Sequence, residues 1–133
     1  MNSIRLRHLR EIYTYVEQIT PIEACGLIAF SARASAHVFD IENILNSRNA
    51  FEMNPHQQVA AMLAMERQKW DLGVIFHSHP FGPMEPSKVD IQNWRYPECG
   101  MLILGPSSAG WSAALFTVTD GHVYSLPLVL RGD

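Results

Sequence analysis

Gly73-Val74-Ile75-Phe76-His77-Ser78-His79-Pro80 decides how this chain folds. The first four residues are a short apolar run with β-branched members, which predicts a compact buried strand. Alternate side chains of an extended strand face the same way, so His77 and His79 project together and Ser78 points to the opposite side. Pro80 to Pro86 predicts a proline-rich loop, so the strand ends in a segment able to carry polar chemistry.

Upstream, Asn54-Pro55 supplies a cap and a first-turn proline for a helix in which Val59, Met62, Leu63 and Trp70 share one face, ending before Gly73. Leu6, Leu9, Ile12, Tyr13 and Val16 recur at helical spacing and predict an amphipathic helix over 4 to 18, with Ser3 as its cap and Pro21 barring continuation. Between the helices, Ala24 to Phe30 and Ala36 to Ile44 read as two paired strands joined by Ser31 to Ser35. Downstream, Ser87 to Trp94 predicts a short helix, and Met101 to Leu104 a strand buried on both faces. Trp111 to Val118 and Val123 to Leu130 read as a hairpin turned by Asp120-Gly121. The alternation of elements predicts an α/β fold, a mixed curved sheet with both long helices packed on it.

The chain has 133 residues, a single-domain length, and shows no repeat, linker or low-complexity tract, so one domain is expected over 1–133. Hydrophobic residues make up 47% and charged residues 17%, as in ordinary globular chains. The net charge of -3, without a Lys/Arg run, argues against nucleic acid as the main ligand. No apolar stretch has the length of a membrane span, and the protein reads as cytosolic. Cys25 and Cys99 lie in apolar surroundings and read as reduced, buried thiols.

Paired imidazoles invite a metal. Catalytic zinc ordinarily has three protein ligands and a position left for water, so a third ligand must come from another element. Asp90 is the natural candidate; Glu85 and Cys99 are poorer ones. Ser87-Lys88-Val89-Asp90 also fits a helix capping box, and both readings stay open on spacing alone. Glu23 begins an apolar segment, and its ordinary reading is a solvated carboxylate at a strand start. Cys25 reads as an inert core thiol rather than a nucleophile. His8, His37, His56 and His122 have no partner at ligand spacing and read as surface residues. There is no His-Glu-x-x-His, phosphate loop or Pro-Cys-x-x-Cys.

The combination of His77-Ser78-His79-Pro80 with Ser87-Lys88-Val89-Asp90 resembles the JAMM (MPN-plus) zinc metalloproteases, as do Pro21-Ile22-Glu23-Ala24-Cys25-Gly26-Leu27 and Phe51-Glu52-Met53-Asn54-Pro55. The resemblance implies a deaminase-like fold with Zn2+ held by His77, His79 and Asp90, Glu23 as general base and Ser87 as oxyanion stabiliser. It further implies a cytoplasmic peptidase or isopeptidase acting at the C-terminal Gly-Gly of a ubiquitin-like or sulfur-carrier protein. The alternative is a catalytically silent MPN-type scaffold module, against which the intact ligand set argues. Ser78, where DNA-repair-associated members carry asparagine, argues against that branch. Ala29-Phe30 replaces a glycine common in relatives. The short segments around Asp90 leave no room for ubiquitin-clamping insertions, so a smaller substrate is expected.

Overall fold

The computed structural model describes residues 2–133. The elements run β1 (Ile4–Arg5), α1 (Leu6–Ile19), β2 (Cys25–Ser31), β3 (Ala34–Ile41), α2 (Pro55–Gln68), β4 (Asp71–Ser78), α3 (Lys88–Asn93), β5 (Gly100–Ser107), β6 (Gly110–Thr119), β7 (His122–Leu126) and β8 (Leu130–Arg131). Six strands form one mixed sheet in the order β3-β2-β4-β5-β6-β7; β1 and β8 form a two-stranded parallel ribbon. β4 and β5 are parallel, joined by a crossover through α3, and the other neighbours are antiparallel. This is the expected mixed α/β architecture.

Strand alternation divides the core. Ile28, Phe30, Val74, Phe76, Leu102 and Leu104 pack with Leu9, Ile12 and Val16 of α1 on one face. Cys25, Leu27, Ala29 and Ile75 pack with Ala61 and Met65 of α2 on the other. With both faces covered, β2 reads as an unbroken apolar run. A Cβ at Gly26 would run into the Phe76 ring and the Phe39 carbonyl, so only glycine lets that ring lie across β2.

Several expectations shift. Ser3 does not cap α1: its hydroxyl donates to the Arg33 carbonyl, and Arg5 occupies the N-cap without a side-chain bond. The expected loop of Ser31 to Ser35 is a two-residue turn in which Ala32 and Arg33 both take positive φ, 50° and 68°. No Asn-Gly or Asp-Gly pair announces it, unlike Asp120-Gly121, which turns β6 into β7 as expected. β3 stops at Ile41, and Ile44 lies exposed in the following loop. In α2, Val59 and Leu63 are exposed while Ala61 and Met65 are buried, because the apolar positions admit two overlapping faces and the sheet accepts the one presenting the small Ala61. The segment Val123 to Leu130 is not one strand. Pro127 has no amide hydrogen for the ladder, so β7 ends at Leu126 and the chain leaves to pair β8 with β1. Among the described residues no helix is long and apolar enough to cross a membrane.

Candidate metal centre and cleft

His77 is the penultimate residue of β4 and lies on the α2 face, next in alternation after Ile75. His79 follows two residues later, anchored by its amide to the Leu104 carbonyl (2.8 Å). Asp90 sits in the first turn of α3. Three atoms converge: His77 Nε2, His79 Nε2 and Asp90 Oδ2 stand 3.1 Å apart pairwise. Glu23, on the segment between α1 and β2, completes the cluster, with one ligand-capable atom of each residue within 4.8 Å of the others.

The protonation pattern tests whether a cation belongs there. The Pro83 carbonyl can only accept, so the 2.8 Å contact with His79 Nδ1 requires the hydrogen on that nitrogen. With Nδ1 committed to the Pro83 carbonyl, Nε2 of a neutral His79 meets the Asp90 carboxylate with a lone pair, so the contact needs a second proton on that ring or a cation between the ligands. A bound cation takes the place of that proton. The 3.1 Å edges compare with about 3.3 Å for a tetrahedron whose metal–ligand bonds are about 2.0–2.1 Å, the geometry of zinc on nitrogen and oxygen. The Pro83 carbonyl orients one of the two imidazoles. His77 Nδ1 has no partner among the described residues; its ring stacks instead on Phe51, centroids 4.8 Å apart.

Burial pushes Glu23 up to about 8, with Asp90 adding to the rise and His79 opposing it. Burial also lowers His77, keeping its imidazole neutral. Burial would lower His79 too, but hydrogen bonds to Asp90 and the Pro83 carbonyl carry it above its ordinary value. For Asp90 burial works upward and is outweighed by hydrogen bonds from both histidines and the Ser87 amide, leaving its carboxyl well below the usual range. The site thus holds one firm carboxylate, one poised near neutrality and two imidazoles.

The capping box and the cluster share an atom. Ser87 N–H donates to Asp90 Oδ2 (2.9 Å) while Asp90 N–H donates to Ser87 Oγ (3.1 Å), so the cap locks the rotamer that presents the carboxylate to the histidines. The Ser87 hydroxyl, only accepting in that bond, keeps its hydrogen to donate. Ser87, Glu23 and His79 line a cleft of roughly 400 Å³ beneath the proline-rich loop, and His77, Asp90, Phe51 and Trp94 line a second of roughly 500 Å³. Asn49 borders both.

Of the other candidates, Glu85 lines the first cleft but stays outside the cluster. Cys99 lies at the far end of β4, its thiol directed at the Leu72 carbonyl. Cys25 is buried, its thiol pushed up to about 12. Both cysteines are free. His37, His56 and His122 are exposed, but His8 is buried with Nδ1 2.6 Å from Ser35 Oγ, because the helical spacing of 8, 12 and 16 places it on the core face of α1. Sequence reasoning missed the Pro83 carbonyl, the Phe51 stack and the loop that grips Glu23. A backbone carbonyl carries no residue signature, and a ring can be assigned to a neighbour only once the loop is folded.

Residues 5–117 match the Prok-JAB family, the prokaryotic homologs of the JAB domain. This chain belongs to the Prok-JAB family. It is 31% identical over 97 residues to a desampylase of Pyrococcus furiosus, covering 72% of this chain and 69% of that protein. It is 35% identical over 92 residues to a probable TtuB-protein conjugate cleaving protease of Thermus thermophilus, covering 67% of this chain and 62% of that one. A solution structure from Desulfitobacterium hafniense superposes with TM-score 0.88 at 25% identity, over 100% of this chain and 94% of the other. The fold is shared with a structure described as the JAMM metalloprotease-like zinc site of the proteasome and signalosome, TM-score 0.62 at 14% identity over 98% of each chain. The Prok-JAB chain is a hydrolytic enzyme of the JAMM type.

Proposed function

We propose that this Prok-JAB protein is a zinc-dependent isopeptidase or peptidase, working in the cytoplasm as a single domain, that hydrolyses the amide bond after the C-terminal Gly-Gly of a ubiquitin-like or sulfur-carrier protein. The observation that carries the chemistry is the convergence of two imidazole nitrogens and one carboxylate oxygen 3.1 Å apart, beside a buried glutamate. The substrate class rests on the relatives' names, a desampylase and a TtuB-conjugate cleaving protease. The absence of a basic run argues against a nucleic-acid substrate.

His77, His79 and Asp90 would hold the zinc. When bound, zinc supplies a water whose pKa falls from about 15.7 toward about 7. Glu23, buried and pushed toward neutrality, accepts the proton of the attacking water at its carboxylate and passes it to the departing amine. The Ser87 hydroxyl donates to the carbonyl oxygen as negative charge develops, an interaction whose loss typically costs about a hundred- to a thousandfold in rate. Asp90, held by the cap, keeps its charge through the cycle.

The test uses Gly-Gly-linked carrier conjugates with metal analysis of the purified protein. Glu23→Gln should lower kcat by roughly a hundred- to ten-thousandfold, leaving a residual rate, and retain stoichiometric zinc; His77→Ala should lose both cleavage and zinc. Full activity in Glu23→Gln, or protein free of zinc yet active, refutes the mechanism.

A further inference from the structure

Asn43 lies in the loop between β3 and α2, only 6% exposed, and every hydrogen-bonding position of its amide is used. Nδ2 donates to the carbonyls of Glu23 and Ala50, each at 3.0 Å. Oδ1 accepts from the amides of Leu45 and Glu52, each at 3.1 Å. The same loop takes the other backbone group of Glu23, whose amide donates to the Ser47 carbonyl at 2.8 Å. Both main-chain groups of the proposed base are thus held by one loop, which Asn43 ties at both ends.

That loop also builds the cleft walls. Asn49 borders both clefts, and Phe51, between two residues tied to Asn43, stacks on His77. One side chain therefore links the segment bearing Glu23 to the ring that backs a histidine of the cluster. The position needs two donors and a carbonyl oxygen in one short planar group, which asparagine alone among side chains of that reach provides. Aspartate would face the carbonyls of Glu23 and Ala50 with an acceptor, and a shorter side chain would leave buried carbonyls unpaired.

We propose that Asn43 is a positioning residue that sets the Glu23 carboxylate against the His77–His79–Asp90 cluster by fixing the Glu23 main chain. The proposal rests on the reading of Glu23 as base.

The experiment compares the zinc-loaded parent with Asn43→Asp and Asn43→Ser. kcat should fall roughly ten- to a hundredfold, as expected when a reacting group moves by about 1 Å, with KM little changed. Zinc affinity, measured by chelator competition, should be unaltered. Amide exchange at Glu23 should accelerate while that of Phe76 in β4 stays as in the parent. In a Glu23→Gln background the Asn43 substitutions should cost nothing further, because their effect passes through the glutamate. Parent-like kcat, an unchanged Glu23 amide, or an equal loss in both backgrounds overturns the proposal. So does loss of the folded sheet in both variants, which assigns Asn43 a purely structural role. If Glu23→Gln itself keeps full activity, the base assignment fails, and the exchange rates still report whether Asn43 holds that segment.

Discussion

Replacing Ser78 by alanine isolates what the residue between the two histidines does. Ser78 is fully buried on the face opposite its neighbours, and its hydroxyl oxygen accepts from the Ala24 amide at 2.8 Å while its own amide donates to the Ala24 carbonyl at 2.9 Å. The end of β4 is thereby latched to the residue next to Glu23. In Ser78→Ala the Ala24 N–H stays buried without an acceptor, which costs about 1–3 kcal/mol. For a chain of this size each kcal/mol shifts the melting midpoint by about 3–5 °C, so the variant should melt roughly 3–15 °C below the parent. Ser78→Thr restores the acceptor and should recover much of the loss. The assays are a thermal melt and amide exchange at Ala24, which should accelerate in Ser78→Ala. A variant melting within about 1 °C of the parent, with the Ala24 amide equally protected, would show that the hydroxyl does not carry the latch.

Burial pushes Cys25 up to about 12 and Cys99 up to about 11, so at pH 8 the native protein should show no fast-reacting thiol toward a disulfide reagent, and both on denaturation; rapid labelling of the native form would contradict this. Burial, with Arg7 nearby, lowers His8 below its ordinary 6.5. The unfolded chain therefore takes up that proton first, and stability should fall as pH drops below about 6.5. Urea midpoints at pH 7.5 and 5.5 should show a smaller drop in His8→Gln; an equal drop in both proteins would remove His8 as a cause.

How much was legible in advance differs between strand and loop. Val74 to His79 declared its structure because a period of two is local: once the segment is extended, two histidines must share a face and Ser78 must leave it. The capping box was equally local, since Ser87 and Asp90 lie within one helical turn. The second helix was less legible. Val59, Met62 and Leu63 mark apolar positions, yet which of two overlapping faces is buried depends on the sheet beneath. His8 was misread by the absence of a ligand partner, although its spacing from Ile12 and Val16 carried the information.

What the sequence alone determined is the set of groups that could do chemistry: imidazoles at alternate strand positions, a serine and an aspartate in one helical turn, and a glutamate leading an apolar run. What only the tertiary structure decided is their convergence. Residue 23 stands 54 positions before His77, and only the antiparallel pairing of β2 with β4, with Cys25 opposite His77, brings them together. The elements that aim them, the Pro83 carbonyl, the Asn43 amide and the Phe51 ring, come from loops whose paths are set by long-range packing. Short-range patterns are encoded where backbone geometry repeats; a loop's hydrogen bonds exist only after distant strands have paired, because no local periodicity specifies their partners.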